Sequence, residues 1–499
     1  MTAPVARASG RGALEPIVVV FAAFYVVVFV TVAIMRARHP FELEWMEGGV
    51  LAHVERIREG KAIYAAPTLE FVPFIYTPLY YHVAALFSRV LGTTFLALRV
   101  TSILATLGCM GVLFAYVKRE TRSWLPPIVS VGLFAAGYRR GAEFLDLARV
   151  DALFLLFLLG ALAMTRHARS RRHQVLAGVL FTLAFFTKQS ALIVALAMAV
   201  PVVSLERRRA WPFVGTMVVG IGGGALLLDV ASDGWFRYYA FELPRQHAIE
   251  RVMFLEYWSG DLAPWAIAFA ALLYLLLGAP TTIDGEARRY YLFGTLGMLG
   301  TAWSSRLHTG GFHNVLLPAI AWLSLVAGVG LHAARVAVAA TGDARRSGLT
   351  RFVLAAAFAQ LACHLYDPRQ LVPKKRDVLA GLRLVETLRG YQGEVFVPSH
   401  GYLAVMAGKR SFAHLMAVED VLRVDDDVST ELRISIADAI RAQRFSAVVQ
   451  DEDEWFQDVM TGPYRRDAPA VPDEAAFHCV SGIRVRPEKI WVPQREPPS

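Results

Sequence analysis

Three glutamates lie just beyond the first apolar stretch of membrane length. Glu42, Glu44 and Glu47 stand beside aromatic residues in the segment 41–80. Carboxylates are costly in lipid, so acids placed next to a membrane helix usually mark chemistry or a paired interface. On a helix, Glu44 and Glu47 would share a face and could hold one proton between them, as a general base needs near neutral pH. The alternative is that both are solvated charges, paired with nearby arginines or with Lys61.

A second segment that mixes acids and bases precedes another apolar stretch. Its charged residues are Arg139, Arg140, Glu143, Asp146, Arg149 and Asp151. In a functional interpretation, Arg139 or Arg140 binds a phosphate and Asp151 lines the same cavity. In a structural interpretation, Asp151 complements the N-terminus of a helix and the other residues form ion pairs.

Lys188 and Gln189 interrupt the apolar stretch 174–205, which is too long for one ordinary membrane span. Two short spans joined by an outer turn at these residues keep the flanking arginine clusters on one side of the membrane. A cation at such a turn must reach for water, pair with an acid or bind an anion, and a lipid phosphate would suit Lys188.

The segment 306–314 combines basic and amide side chains with two adjacent glycines. Arg306, His308 and Asn314 could contact a diphosphate or phosphosugar, because the glycines let the backbone approach a ligand closely. The segment could equally be only a turn. His308 and His313 are poorly spaced as a metal pair, since residues five apart do not share a helical face.

The composition excludes an ordinary soluble protein. Of 499 residues, 55% are hydrophobic and 19% are charged, and the mean hydropathy is +0.42. The net charge of +9 comes from arginine clusters between apolar stretches, which favours the positive-inside rule over nucleic-acid binding. The three cysteines are far apart and indicate no disulfide framework. No cleavable signal peptide is evident, so the first stretch is expected to be a retained span.

These patterns predict a polytopic α-helical membrane protein with about eleven spans. The expected spans are 16–35, 97–117, 124–138, 151–165, two within 174–205, 211–229, 263–279, 290–304, 314–332 and 350–366. The arginines at positions 7 and 11 place the N-terminus inside, which leaves an outer loop at 36–96 whose segment 78–91 fits an interfacial helix.

The polar tail is expected to be a separate unit. The membrane part covers residues 1–366, and an α/β domain outside the cytoplasm covers 367–499. Helical periodicity at 377–388 and 434–442 alternates with predicted strands at 394–398 and 445–450.

The order of several short motifs resembles that of a known enzyme family. The motifs are Met46-Glu47-Gly48, Gly60 with Tyr64, Tyr76-Thr77-Pro78-Leu79-Tyr80, Leu98-Arg99-Val100, Arg149-Val150-Asp151, Thr187-Lys188-Gln189 and Gly311 with Asn314. Over roughly residues 15–330 the chain resembles bacterial membrane glycosyltransferases of the GT-C superfamily. It is most similar to the branch of glycosyltransferase family 39 that includes protein O-mannosyltransferases and the lipid A aminoarabinose transferase. One departure stands out: Met46 replaces the aspartate of the family's Asp-Glu pair, and Glu44 is the nearby acid that would compensate for it.

The resemblance implies an inverting transferase that uses a polyprenyl-phosphate sugar on the outer face of the bacterial inner membrane. Glu47, with Glu44, would be the general base. The leaving phosphate would be held by Lys188, Arg139, Arg140, Arg306 and His308. The substrates would contact Tyr64, Tyr76, Asp151, Gln189 and Asn314. The acceptor would be a lipid, a polysaccharide or a protein; no cofactor is implied with certainty, and a divalent metal is compatible with the family.

Two other classes of protein fit the same composition. A transporter or flippase of a lipid-linked saccharide also tolerates charge in the membrane, but transporters tend to show paired repeats and helices interrupted near the midplane. A non-catalytic assembly protein would use the tail 367–499 to recruit partners.

Overall fold

The computed structural model describes residues 14–167, 170–205, 210–278, 283–451 and 455–494. A helix occupies every position at which a membrane span is expected. The first eight helices are α1 (Leu14–Ala37), α2 (Glu47–Arg58), α3 (Leu79–Leu91), α4 (Phe95–Thr121), α5 (Leu125–Ala136), α6 (Asp151–His167), α7 (Arg171–Thr187) and α8 (Ala191–Leu205). The arginines at 7, 11 and 207–209, which orient the predicted spans, lie outside the described residues.

The second half of the membrane part contains several broken helices. Its helices are α9 (Trp211–Met217), α10 (Gly224–Ala231), α11 (Trp235–Arg237), α12 (Leu243–Arg245), α13 (Met253–Glu256), α14 (Ala266–Leu273), α15 (Gly285–Leu307), α16 (Leu317–Ala339) and α17 (Asp343–Ala362). A π-helical turn, Val218–Gly223, joins α9 to α10, and a 3-10 turn, His313–Leu316, leads into α16.

Among the described residues, four helical segments are long and apolar enough to cross a membrane. They are Leu14–Ala37, Phe95–Thr121, Trp211–Ala231 and His313–Ala339. The bent pair Met253–Asp261 and Ala263–Gly278 is a fifth if its two pieces form one span. The 24 residues of α1 extend roughly 36 Å at the rise of an α-helix, enough to cross ~30 Å of hydrocarbon. The chain is therefore polytopic, and the total of eleven spans stays a prediction.

The predicted interruption at Lys188 is confirmed. The helix α7 ends at Thr187, Lys188 has the extended backbone angles φ −155° and ψ 120°, and α8 begins at Ala191. On either side of this break, α7 packs on α6 and α8 packs on α15, and α15 in turn contacts α16, which is buried along almost its whole length. The break therefore places a lysine beside the core of the helical bundle.

The tail forms a small mixed sheet with helices around it. Its helices are α18 (Lys375–Gly390), α19 (Tyr402–Met406), α20 (Leu415–Leu422), α21 (Asp427–Arg441) and α22 (Gln457–Met460). Its strands are β1 (Glu394–Phe396), β2 (Phe445–Gln450), β3 (Tyr464–Pro469) and β4 (Lys489–Pro493), in the order β1-β2-β4-β3. The strands β1 and β2 are parallel, and β4 runs antiparallel to both of its neighbours.

Both faces of this sheet are covered. Successive residues of a strand point to opposite faces, and accordingly Ala447 and Val449 join one apolar cluster while Val448 joins another. The second cluster also contains Val50 of α2 and Tyr80 of α3. The tail therefore packs directly on the loop region that follows α1.

Candidate active site

Arg99 fastens the loop between α1 and α2. It is fully buried near the start of α4. Its guanidinium donates to the carbonyl oxygens of Arg36 at 3.3 Å, His39 at 2.7 Å and Phe41 at 2.6 Å. It also binds Glu47 through Nε at 3.0 Å and Nη2 at 2.6 Å. Because a guanidinium presents its donors in a fixed fork, one side chain sets the path of the loop and the start of α2.

Glu47 has donors on both oxygens. Oε1 accepts from Arg99 Nε and the Ala148 N–H, the latter at 2.7 Å, and Oε2 accepts from Arg99 Nη2 and the Leu43 N–H at 2.7 Å. Burial alone would raise the pKa of Glu47, but Arg99 and these hydrogen bonds hold it below its ordinary value of 4.5. A carboxylate held in this way accepts a further proton poorly. These contacts give Glu47 a structural role, and its role as general base stays a prediction.

Glu44 has a different environment. Its Oε2 accepts from Arg149 Nη1 at 2.8 Å and from the Met46 N–H at 3.3 Å. Burial raises the pKa of Glu44, although Arg149 opposes the shift. Arg149 Nη2 also donates to the Tyr76 hydroxyl at 3.0 Å. Glu44 therefore combines a raised pKa with a fixed orientation, which is what a general base requires.

A second polar cluster forms around Asp151, the first residue of α6. Asp151 Oδ1 accepts from Lys188 Nζ at 2.7 Å and from Asn314 Nδ2 at 3.1 Å. Asp151 Oδ2 is buried and has no hydrogen-bond partner within the part of the chain that the structure describes. Buried polar atoms are nearly always hydrogen-bonded. This oxygen is thus a point at which a polar ligand would be accepted.

The two clusters are adjacent because Arg149 and Asp151 are two residues apart. Gln189 supports the segment before α3, since its Nε2 donates to Ile75 O at 2.9 Å. Tyr64 supports the same segment by donating its hydroxyl to Tyr76 O at 2.8 Å. The structure thus gathers in one region the residues expected to contact substrate, namely Tyr64, Tyr76, Asp151, Gln189 and Asn314.

The other basic residues expected to bind a phosphate have different partners. Arg306 donates to Asp261 Oδ2 at 2.8 Å and to Gly311 O at 2.6 Å. His308 Nδ1 lies 3.4 Å from His247 O.

Arg139 and Arg140 are exposed, and Arg139 pairs with Glu143 at 2.5 Å. Of the five residues expected at the phosphate, only Lys188 belongs to the polar clusters described above. A shared phosphate contact of Arg139, Arg140, Arg306 and His308 stays a prediction.

A large cavity lies away from these clusters. Its volume is about 920 Å³, and it lies between α2, residues 93–96 and tail residues such as Tyr402 and Phe412. None of the predicted site residues lines it. Within the described ranges, no group of three or more His, Cys, Asp or Glu side chains is arranged to hold a metal ion.

The sequence analysis gave no site role to three of the most connected side chains. Arg99 lies within a predicted span, where an arginine is expensive, and that position was an available signal. Arg149 was named only among the ion pairs of its segment and in the family motif Arg149-Val150-Asp151. His400 had no local signal: its Nδ1 contacts Glu42 Oε2 and its Nε2 lies 3.2 Å from Asp451 Oδ2. Burial alone would lower the pKa of His400, but the two carboxylates raise it to about 10.

Comparisons with known proteins address the fold and the family. Residues 73–230 match the model of the dolichyl-phosphate-mannose-protein mannosyltransferase family. The structure resembles that of ArnT from Cupriavidus metallidurans in the apo state, with a TM-score of 0.59 and 16% identity over 96% of this chain and 98% of ArnT. The complex of the same protein with undecaprenyl phosphate gives a TM-score of 0.58 and 14% identity over the same shares.

A more distant likeness covers most of the chain as well. The archaeal oligosaccharyltransferase AglB from Archaeoglobus fulgidus, in complex with an inhibitory peptide and a dolichol-phosphate, has a TM-score of 0.50 and 10% identity. The match covers 88% of this chain and 70% of AglB. No curated protein matches the sequence. The resemblance expected from the sequence motifs is confirmed: the chain shares its fold with ArnT and AglB, and residues 73–230 match the mannosyltransferase family model.

Proposed function

We propose that the chain is a membrane glycosyltransferase that moves a sugar from a polyprenyl-phosphate carrier to an acceptor hydroxyl. The observation that carries the proposal is the pair of buried clusters joined at Arg149 and Asp151: one holds a carboxylate of raised pKa, the other a lysine beside an unsatisfied oxygen. Support comes from the fold, since the solved structures that share it include ArnT bound to undecaprenyl phosphate and AglB in complex with a dolichol-phosphate. We place both clusters and the tail on the extracytoplasmic side of the bacterial inner membrane, at the outer ends of about eleven spans.

In this reaction Glu44 is the general base. It takes the proton of the acceptor hydroxyl while the hydroxyl oxygen forms a bond to the anomeric carbon of the sugar. The bond from that carbon to the phosphate oxygen breaks, and its electron pair leaves with the polyprenyl phosphate. One displacement on the face opposite the leaving group inverts the anomeric configuration.

Lys188 stabilises the charge that develops on the leaving phosphate. Its ammonium has three N–H donors, and one of them forms the hydrogen bond to Asp151. The other donors remain for phosphate oxygens. Asp151 and Asn314 orient the lysine and the sugar, and a fixed cation at a developing negative charge lowers the barrier. If the segments that carry them close on a bound donor, four more basic residues would contact the phosphate, namely Arg139, Arg140, Arg306 and His308.

We assign the base to Glu44 rather than to Glu47 because of their partners. Glu47 receives four hydrogen bonds and has a lowered pKa, whereas two donors contact Glu44, both on Oε2. Glu47 then serves the reaction indirectly, by holding with Arg99 the loop that carries Glu44.

A transfer assay in detergent tests the proposal. Purified wild type, Glu44→Gln and Glu59→Gln receive a panel of radiolabelled polyprenyl-phosphate sugars, with a membrane extract as the acceptor. Glu59 is a matched control because it is an exposed glutamate of the same outer loop, paired with the exposed Lys61. We expect wild type and Glu59→Gln to transfer label and Glu44→Gln to lose about 10²–10⁴-fold in rate, the usual contribution of a general base.

The other outcomes discriminate between the alternatives. Transfer by a folded Glu44→Gln at the wild-type rate would contradict the choice of base. Failure of the folded wild type to consume any donor would contradict the transferase and favour transport of a lipid-linked saccharide.

A further inference from the structure

The tail covers the loop that carries Glu44. The backbone N–H groups of Val480 and Ser481 both donate to Leu43 O, at 3.1 Å and 2.9 Å. Ser481 Oγ in turn accepts from Arg36 Nη2 at 2.8 Å, at the end of α1. The segment 480–482 is therefore bound both to the loop and to the first membrane helix.

Further contacts from the tail hold the residues on either side of Glu44. His400 contacts the carboxylate of Glu42, and His414 Nε2 lies 3.0 Å from Trp45 O. Together with the bonds to Leu43, the tail thus reaches residues 42, 43 and 45 of the loop. The position of the loop depends on a part of the chain more than 350 residues away, as the separation of 358 between Glu42 and His400 shows.

Gly482 makes the closest approach to the carboxylate itself. Its φ is +67°, in the left-handed region that side chains disfavour. A Cβ at this position would lie 2.7 Å from Glu44 Cγ and 3.4 Å from Glu44 Oε1. The first distance is far inside van der Waals contact and concerns the stem of the side chain, so a methyl group here requires Glu44 to move.

We infer that Gly482 is a positioning residue for the reaction: by having no side chain, it lets the tail seat Glu44 against Arg149. The inference rests on the proposed function, because it assumes that Glu44 is the base. It makes the tail a part of the active site rather than a separate accessory unit.

The charges around Glu44 predict what its displacement does. The groups that face it are Arg149 before α6, Glu47 at the start of α2 and Cys479 in the tail. Arg149 lowers the pKa of Glu44, whereas burial and Glu47 raise it. If Glu44 moves away from Arg149 but stays buried, burial and Glu47 still raise its pKa, whereas the opposing effect of Arg149 is lost. The pKa of the displaced Glu44 should therefore rise further.

The experiment compares Gly482→Ala with Gly408→Ala in the full-length protein. Gly408 also lies in the tail with a positive φ, +79°, but no atom lies within 4 Å of a Cβ built there. Both variants therefore meet the backbone penalty, and only Gly482→Ala meets Glu44. We expect Gly482→Ala to lose about 10–100-fold in kcat, as a displaced catalytic group does, with KM for the lipid donor unchanged. The acidic limb of its pH–rate profile should move to higher pH. Gly408→Ala should show neither change.

A double-mutant cycle provides a readout that does not need activity. Glu44→Ala removes the Cγ that meets the added methyl, so Gly482→Ala should cost less thermal stability in the Glu44→Ala background than in the wild-type background. Additive effects in the stability cycle, or a Gly482→Ala enzyme indistinguishable from Gly408→Ala, would overturn the inference. An inactive but folded wild type would instead count against the proposed function, and the stability cycle would still decide whether Gly482 and Glu44 are coupled.

Discussion

Replacement of Glu47 by glutamine should unfold the loop region rather than simply stop the chemistry. Arg99 and Glu47 are both fully buried, and their closest atoms are 2.6 Å apart. Removing one charge of a buried pair costs about 3–5 kcal/mol, because the other charge is left without compensation. The amide adds a second problem, since each oxygen of Glu47 accepts two donors and the new NH₂ group must face two of them. An unsatisfied buried donor costs about 1–3 kcal/mol.

Thermal unfolding of the purified protein in detergent measures this effect. The loss of one charge from the buried pair should by itself raise the unfolded population of the loop region more than 100-fold, because about 1.4 kcal/mol corresponds to a factor of ten. Glu44→Gln should lose less stability, since its carbonyl oxygen can still accept from Arg149, and both contacts of Glu44 lie on one oxygen. The exposed Glu59→Gln is the reference for a surface change.

One result would refute this reasoning. If Glu47→Gln melts like wild type and yet transfers no sugar, Glu47 acts in the chemistry and its saturation with donors is not what determines its role. We expect the reverse pattern. Glu47→Gln should lose much of its stability, whereas Glu44→Gln should keep its fold and lose turnover.

Three further predictions follow from the contacts. Lys188→Met should raise KM for the lipid donor and lower kcat by about 10²-fold, measured by steady-state transfer, because the phosphate loses its cation and Asp151 its partner; unchanged kinetics would remove Lys188 from the site. His400→Gln should destabilise the protein most below pH 6.5, and the difference from wild type should shrink as pH rises towards about 10. The reason is that His400 stabilises the fold only while its imidazole is protonated. Melting curves across pH that show a constant difference would contradict this. Arg306→Lys should lose the fork that joins Asp261 to the segment 306–314, and a threefold or greater rise in KM without a change in melting temperature is expected; a fall in melting temperature alone would make Arg306 purely structural.

Local pattern was enough to place much of the secondary structure, although the sequence analysis did not predict α19, α20, α22, β3 and β4. Hydropathy located the helices, and the excess length of 174–205 together with the charge of Lys188 predicted the break that the structure has. Alternation and periodicity located the strands β1 and β2 and the helices α18 and α21 of the tail. These features depend on residues within one or two helical turns or one strand, so they can be recognised without knowing the fold.

The sequence by itself placed acids, a lysine and an arginine-rich segment at the ends of apolar helices. Only the tertiary structure decided which glutamate is locked and which has a raised pKa. The partner of Glu47 is 52 residues away, that of Glu44 is 105 residues away and that of Glu42 is 358 residues away. A pKa depends on burial and on neighbouring charges, and both are properties of the folded chain that residue spacing does not specify.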